Sequence, residues 1–195
     1  MPRNLEIKAR IIDREAAVAV ARAMEPRQHA ELKQTDTYFQ VPLGRLKLRE
    51  IEGQSSELIY YRRAEQTFRR LSTFERCTIQ EPSGLKGILQ LAYGIKTVVR
   101  KRRLVFLLKG TRIHIDDVES LGSFLEFEVP VGSSPDEADR MMSHLVEAFK
   151  LREDDLIRES YADLMEEVTR KKEKGKSKKG GTADRVRRAR ITNYS

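Results

Sequence analysis

Charged residues that alternate with apolar ones are the first candidates for chemistry in this sequence of 195 residues. Cations or carboxylates recur two residues apart in four segments. These segments are Arg45-Leu46-Lys47-Leu48-Arg49, Lys101-Arg102-Arg103, Arg112-Ile113-His114 and Glu126-Phe127-Glu128. Residues two apart lie on the same face of a β-strand. The spacing therefore predicts strands that carry several like charges on one face and apolar side chains on the other.

The charged faces have two interpretations. For any single strand, a polar face in contact with solvent is the ordinary arrangement of an antiparallel sheet. In a closed or nearly closed barrel, the same faces would instead converge on one water-filled interior. Crowded cations then need a polyanion, and crowded carboxylates need a divalent cation between them. A phosphate chain chelated by magnesium satisfies both conditions.

The remaining alternation predicts eight or so antiparallel strands and fewer helices, an α+β fold that is mainly antiparallel β. The first strand begins near Asn4, and the segment from 67 to 80 is one long strand or a pair. Helices are predicted for Arg14 to Met24 with Asp13 as the N-cap, for Pro82 to about Tyr93, for Pro135 to Phe149, and for about Glu153 to Val168.

The ordered series of segments resembles the CYTH superfamily, the triphosphate tunnel metalloenzymes that include class IV adenylate cyclases and thiamine triphosphatases. The likeness covers about residues 3 to 165 and is greatest to the bacterial class IV cyclase-like branch. It depends on Asn4-Leu5-Glu6-Ile7-Lys8, Gln34 to Phe39, Gly44 to Arg49, Glu57 to Arg63, Val99 to Phe106, Arg112 to Asp116 and Gly122 to Glu128. Each motif alone is weak, but their order is specific.

The resemblance implies an eight-stranded tunnel that binds a triphosphate with the help of one or two Mg²⁺ or Mn²⁺ ions. By position, the implied metal ligands are Glu6, Asp116, Glu126 and Glu128. The implied phosphate ligands are Lys47, Arg49, Arg63, Lys101, Arg103 and Arg112. Lys8 takes the implied catalytic position, where it would orient a water or contact a phosphate. Asn4 replaces the first glutamate of the family signature, so the number of metal ions stays open.

The leading functional prediction is metal-dependent hydrolysis of an inorganic or organic triphosphate. One alternative is a class IV-type adenylate cyclase that makes cyclic AMP from ATP, which would also need a base near the ribose and a site for adenine. A second alternative is a catalytically weak module that binds polyphosphate or RNA. A zinc site is not predicted, because His29, His114 and His144 lie on different predicted elements and Cys77 is the only cysteine.

The net charge of +8 comes from the C-terminal end of the chain. Residues 170 to 195 hold eleven basic and two acidic residues, which leaves residues 1 to 169 nearly neutral. We therefore predict a tunnel domain over 1–169 and a basic, disordered tail over 170–195. The tail is a candidate for nucleic-acid or nuclear-import contacts. The sequence has no apolar run of membrane-spanning length and no signal peptide, which favours the cytoplasm or nucleus and no membrane partner.

Overall fold

Eight antiparallel strands close into a barrel in the computed structural model, which describes residues 2–63, 68–132 and 135–174. The strands are β1 (Arg3–Arg10), β2 (Gln28–Phe39), β3 (Arg45–Ile51), β4 (Ser56–Arg63), β5 (Arg70–Ile79), β6 (Ile95–Leu108), β7 (Thr111–Val118) and β8 (Gly122–Pro130). Their order around the barrel is β1-β5-β4-β3-β2-β6-β7-β8, and each neighbouring pair is antiparallel. The predicted fold class is confirmed.

Helices flank the barrel close to where the sequence predicts them. They are α1 (Arg14–Ala23), α2 (Pro82–Tyr93), α3 (Pro135–Ala148), a 3-10 turn at Glu153–Asp155, and α4 over residues 161–174. The predicted N-cap of α1 is confirmed, because the Asp13 side chain accepts a hydrogen bond of 2.8 Å from the backbone N–H of Ala16. No helix of the described residues is long and apolar enough to cross a membrane.

The apolar core lies outside the barrel, between its outer surface and the helices. Ile7, Phe106, Ile113 and Phe127 are 0–2% exposed and belong to one cluster with buried residues of α1 and α3. The helices contribute Ala17, Val18, Ala21, Ala138, Met142 and Leu145. Because strand side chains alternate between two faces, burying the apolar face on the outside turns the charged face inward.

The pairing of β1 with β5 is incomplete, and the segment before α4 continues the hydrogen bonding along β1. Only Arg3 to Glu6 of β1 pair with β5. Beyond them, Leu156 forms a bridge with Ala9, and the N–H of Ile157 donates to the carbonyl of Lys8 over 2.8 Å. This extended segment explains why the last helix begins at residue 161 and not near Glu153.

The Arg70 side chain fixes this segment to the barrel. Arg70 is fully buried, and its guanidinium donates to the backbone carbonyls of Ile157, over 3.2 Å, and of Arg158. The chain then turns inward at Ser160 and Tyr161, which line the interior. We call residues 156–161 the seam segment.

The predicted boundary at residue 169 falls within α4, whose described part ends at residue 174. Most of the predicted tail, including Lys176-Ser177-Lys178-Lys179, lies outside the described residues. Its disorder and its contacts with nucleic acid or the nuclear-import machinery therefore stay predictions.

Candidate active site in the barrel interior

A cavity of about 390 Å³ occupies the barrel interior and is lined by side chains from all eight strands. Its volume falls in the range of roughly 300–1,000 Å³ that is usual for small-molecule sites. The lining contains most of the predicted site residues. They are Glu6, Lys8, Lys47, Arg49, Lys101, Arg103, Arg112, Glu126 and Glu128. The two-residue periodicity of the strands therefore places these charges on the inner face, as predicted.

One group of cations surrounds Asp36, a carboxylate on β2 that is 1% exposed. The Lys47 ammonium lies 3.0 Å from Oδ2 of Asp36, and Nε of Arg49 lies 2.9 Å from Oδ1. Lys101 approaches the same carboxylate at 3.8 Å, and Gln34 donates to it over 3.0 Å. This buried carboxylate therefore holds cations of β3 and β6 together in the cavity wall.

Electrostatics inside this group shift two pKa values. Burial alone would raise the pKa of Asp36, but Arg49, Lys47 and Lys101 outweigh burial and hold the pKa well below its ordinary value. Burial, reinforced by repulsion from Arg103, lowers the pKa of Lys101 to about 7. Asp36 therefore stays ionised at neutral pH, whereas the Lys101 ammonium is close to its titration point.

Asp116 does not line the cavity but lies behind it, with both oxygens engaged. Arg103 donates to the two oxygens through Nε and Nη2, each over 2.6 Å, in a bidentate pair. The hydroxyl of Tyr161 donates to Oδ2 over 2.8 Å, and the Lys101 ammonium lies 3.6 Å from it. In this geometry Asp116 orients Arg103, and binding a metal would require replacing these contacts.

Tyr161 joins the seam segment to the charged interior. Lys8 and Lys101 place their ammonium groups 3.7 Å and 4.8 Å from the centre of its ring. These distances are typical of cation–π contacts. Burial, with Asp116 and Glu126 close by, raises the pKa of Tyr161 well above its ordinary value. The phenol therefore keeps its proton and remains a hydrogen-bond donor to Asp116.

The acidic side of the cavity is formed by Glu126 and Glu128 on β8 and His114 on β7. Ligand atoms of these three residues lie within 4.8 Å of one another. Oε1 of Glu126 also lies 3.0 Å from the Lys8 ammonium, and Oε2 accepts from Arg103 over 2.8 Å, so a metal ion at Glu126 would share or replace these contacts. Burial would raise the pKa of Glu126, but Lys8 and Arg103 help to hold it well below its ordinary value. Among the described residues, this is the one group of His, Cys, Asp and Glu side chains spaced to hold a metal ion.

The other predicted residues lie at the edge of this group. Glu6 on β1 is the register partner of Glu128, and both line the cavity. Arg112 lies 3.5 Å from Glu128 through Nη1, and its side chain is 38% exposed. Arg63 is the last residue of β4 and pairs with Ser72, but its side chain lies outside the described part of the chain. Asn4 is buried and lines the cavity in the position of the missing acid.

Three residues that complete the site were not among those predicted: Asp36, His114 and Tyr161. The sequence signal for Asp36 is its position between Gln34 and Tyr38, which line the same cavity. His114 carries the same two-residue signal relative to Arg112, but periodicity does not indicate its distance from the glutamates. Tyr161 has no comparable signal, because it enters from the seam segment, outside any strand.

This chain matches the profile of a known protein family. The CYTH domain profile matches residues 2–161, which is most of the sequence. The chain belongs to the CYTH domain family. CYTH tunnel proteins are generally enzymes that depend on a divalent metal. The converging oxygens of Glu126 and Glu128, together with a buried imidazole nitrogen of His114, fit such an ion in this CYTH protein.

One curated relative matches part of the chain. Over 76 residues, the CYTH chain is 37% identical to a protein of Methanocaldococcus jannaschii that is named as a candidate adenylate cyclase. The match spans 36% of this chain and 43% of the length of that relative.

Solved structures share the fold at low sequence identity. A protein of Pyrococcus horikoshii superposes with a TM-score of 0.75 at 23% identity, over 83% of this chain and 98% of its own. A candidate adenylate cyclase of Vibrio parahaemolyticus gives 0.68 at 20% identity, over 84% and 97%. A Hippeastrum protein described as a candidate adenylyl cyclase with a dominant triphosphatase activity gives 0.57 at 14% identity, over 75% and 88%. These likenesses establish the tunnel fold.

Proposed function

We propose that this protein hydrolyses a triphosphate in the barrel cavity with the help of a divalent metal ion. The observation that carries the proposal is the convergence of cations and carboxylates on one cavity. Lys47 and Arg49 lie on β3, and β8, which holds Glu126 and Glu128, is four positions away in the closed order of eight strands. Lys47 and Arg49 thus face these carboxylates across the space that a metal-chelated triphosphate would fill, while Arg103 and Arg112 contact the carboxylates directly.

The proposed phosphate ligands are held in place before substrate arrives. Asp36 contacts Lys47 and Arg49, and Asp116 contacts Arg103 in a bidentate pair. Donors fixed in this way need little reorganisation when charge develops on the phosphoryl oxygens. Lys101, which lies between the two aspartates, completes a set of four cations along β3 and β6. Arg112 and Arg63 are proposed as further phosphate contacts.

The proposed metal ligands are Glu126 and Glu128, with Glu6 on the adjacent strand, and Asp116 acts behind them on Arg103. A bound Mg²⁺ or Mn²⁺ ion would neutralise charge on phosphoryl oxygens. Lys8 is 3% exposed and is fixed between Glu126 and the Tyr161 ring. From this position its ammonium would contact a phosphate or orient the attacking water.

Cyclisation of ATP is the main competing reaction, because it would use the same cations and metal. One relative is named as a candidate adenylate cyclase, and another protein with the same fold is described as having a dominant triphosphatase activity. Hydrolysis requires only the phosphate and metal contacts described above. Cyclisation also needs a base at the ribose hydroxyl, and the contacts among the described residues identify none.

The test is a panel of tripolyphosphate, thiamine triphosphate and ATP, each with Mg²⁺ or Mn²⁺, with orthophosphate, pyrophosphate and cyclic AMP measured. We expect orthophosphate release, and a fall of at least roughly 100-fold in Glu126→Gln. Glu31→Gln is the matched control, since Glu31 is 50% exposed and pairs with Arg102 outside the cavity. Cyclic AMP with pyrophosphate would support the cyclase. No turnover of any substrate would contradict catalysis.

The substitution Asn4→Glu tests whether the protein is an enzyme or a module that only binds polyphosphate or RNA. The substitution restores the acid of the family signature at a buried position of the cavity wall. Little change in turnover is expected if the existing carboxylates suffice for hydrolysis. An inactive native protein that gains activity with Asn4→Glu would instead identify the native chain as a binding module.

The basic C-terminal residues are proposed as a separate contact for nucleic acid. The proposal depends on charge alone, from Lys171-Lys172 and the basic residues that follow. Binding of this kind involves release of counterions and should weaken steeply as salt rises. An affinity that does not depend on salt would contradict it.

A further inference from the structure

The His114 side chain is the polar group of the cavity that the proposed reaction leaves without a role. His114 is 3% exposed, and its Nδ1 has no hydrogen-bond partner among the described residues. Buried polar atoms nearly always have such a partner, so a nitrogen without one is a candidate to bind an ion or ligand. It lies 3.6 Å from Oε1 of Glu128 and 3.8 Å from Oε2 of Glu126.

These distances are too long for direct hydrogen bonds and leave room for one ion between the nitrogen and the two carboxylates. A nitrogen and an oxygen joined by a hydrogen bond lie about 2.7–3.2 Å apart. Two ligands about 2.1 Å from an octahedral ion are roughly 3.0 Å apart when adjacent and roughly 4.2 Å apart when opposite. The separations from His114 to Glu128 and Glu126 fall between these two values, and the ligand atoms of the whole group lie within 4.8 Å of one another, so small side-chain rotations would bring all three onto one ion.

Strand geometry holds the three groups in this arrangement. β7 and β8 are antiparallel neighbours, and His114 is the register partner of Glu126. Glu128 is two residues further along β8 and therefore on the same inner face. Regular strand pairing thus fixes the backbone positions from which the three side chains reach the same point of the cavity.

We infer that Nδ1 of His114 ligates the divalent ion together with Glu126 and Glu128, and that it makes the site prefer Mn²⁺ to Mg²⁺. The inference builds on the proposed metal-dependent function and specifies its metal. An imidazole nitrogen favours a first-row transition metal over Mg²⁺, which takes oxygen ligands and water, and Mn²⁺ is the member of that series that carboxylates also suit. A site of oxygens alone would give Mn²⁺ no such advantage.

The first test measures binding directly on the full chain, after chelator treatment and without substrate. The loss of the free Mn²⁺ electron paramagnetic resonance signal gives the Mn²⁺ affinity, and competition with Mg²⁺ gives the preference. We expect His114→Gln to weaken Mn²⁺ binding by roughly ten-fold or more. We expect it to change Mg²⁺ binding much less. His144→Gln is the matched control, because His144 is exposed on α3.

The second test detects the nitrogen ligand itself and does not depend on a folded variant. Electron spin-echo modulation of bound Mn²⁺ should show the coupling of an imidazole nitrogen in the native protein. The coupling should persist in His144→Gln and disappear in His114→Gln. If His114→Gln does not fold, persistence in His29→Gln and His144→Gln assigns the coupling to His114, because the chain has three histidines.

The outcomes separate this inference from the proposed function. Binding of Mn²⁺ without nitrogen coupling, or equal affinity for Mn²⁺ and Mg²⁺, overturns the role of His114 and leaves metal-dependent hydrolysis standing. A coupling that survives in folded His114→Gln also overturns it. Failure of the native chain to bind either ion without substrate overturns the inference, whereas the proposed function, in which the triphosphate carries the ion, is tested by the substrate panel.

Discussion

Asp36 places a negative charge inside a group of cations that are proposed to bind phosphate. Its contacts with Lys47 and Arg49 offset the repulsion that crowded buried cations would otherwise exert on one another. A triphosphate would bring charge of the same sign to the same ammonium and guanidinium groups. We therefore expect Asp36 to stabilise the fold and, by competing for the cations, to limit the affinity for phosphate.

This competition predicts opposite effects of Asp36→Asn on stability and on binding. Removing one partner from a buried ion pair costs about 3–5 kcal/mol, since the remaining charges lose their counter-charge. We expect urea denaturation to show a loss of that size, and calorimetry to show tighter binding of tripolyphosphate. Glu31→Gln, which removes an exposed acid, should change neither. Weaker binding by a folded Asp36→Asn protein would show that Asp36 only positions the cations.

The stabilisation by Asp36 should depend on pH in a definite direction. Its pKa in the folded protein is held well below the value of about 3.9 usual for an unfolded chain. The stabilisation is therefore complete above that unfolded value and is lost as the pH falls toward the folded pKa. The difference in unfolding free energy between the native protein and Asp36→Asn should not shrink between about pH 7 and 5, and should shrink only below about pH 4. Shrinkage above pH 5 would contradict this assignment.

At the residue scale, the sequence predicts which face a side chain occupies but not its partner. Alternation placed Lys47, Arg49 and Glu126 in the cavity, as the structure confirms. The pairing of Asp116 with Arg103 and Tyr161 could not be predicted, because it depends on distances across strands and on a segment far along the chain. Periodicity carries no information about such distances.

At the scale of elements, the seam segment is the part of the fold that the sequence did not predict. The sequence predicts a helix from about Glu153, yet from Leu156 the chain runs along β1 and supplies hydrogen bonds that β5 does not. Tertiary pairing thus overrides local helix propensity, which is a weak preference. The seam segment links closure of the barrel to the position of Tyr161.

Arg70→Met tests whether the seam segment depends on its anchor. The Arg70 guanidinium donates to the carbonyls of Ile157 and Arg158, and hydrogen bonds from charged groups contribute about 1.5–3 kcal/mol. We expect the amide of Ile157, which donates to Lys8, to exchange its hydrogen roughly 10- to 100-fold faster. Arg76→Met is the control on the same strand, because Arg76 is half exposed. Unchanged exchange at Ile157 would refute the anchoring role.

At the scale of the whole molecule, the fold has a charged interior and an apolar exterior that the helices cover. Apolar packing against α1 and α3 stabilises the barrel from outside, while Asp36, Asp116 and the glutamates balance the cations within. The charged side chains that line the cavity come from every strand except β2, so a ligand that contacts them connects most of the barrel. Ligand binding and global stability should therefore be closely linked.

This linkage predicts that tripolyphosphate, added to the metal-free protein so that it is not hydrolysed, stabilises the entire barrel. A ligand at one hundred times its dissociation constant adds about 2.7 kcal/mol to the free energy of unfolding. We expect thermal unfolding to shift upward as one cooperative transition, and sodium sulfate at equal ionic strength to give a much smaller shift. Lys47→Met should reduce the shift, because Lys47 lines the cavity. Lys33→Met should not, because Lys33 is 69% exposed and pairs with Glu52 outside the cavity. An equal response of both variants would place the polyanion on the outer surface, where screening by salt would remove it.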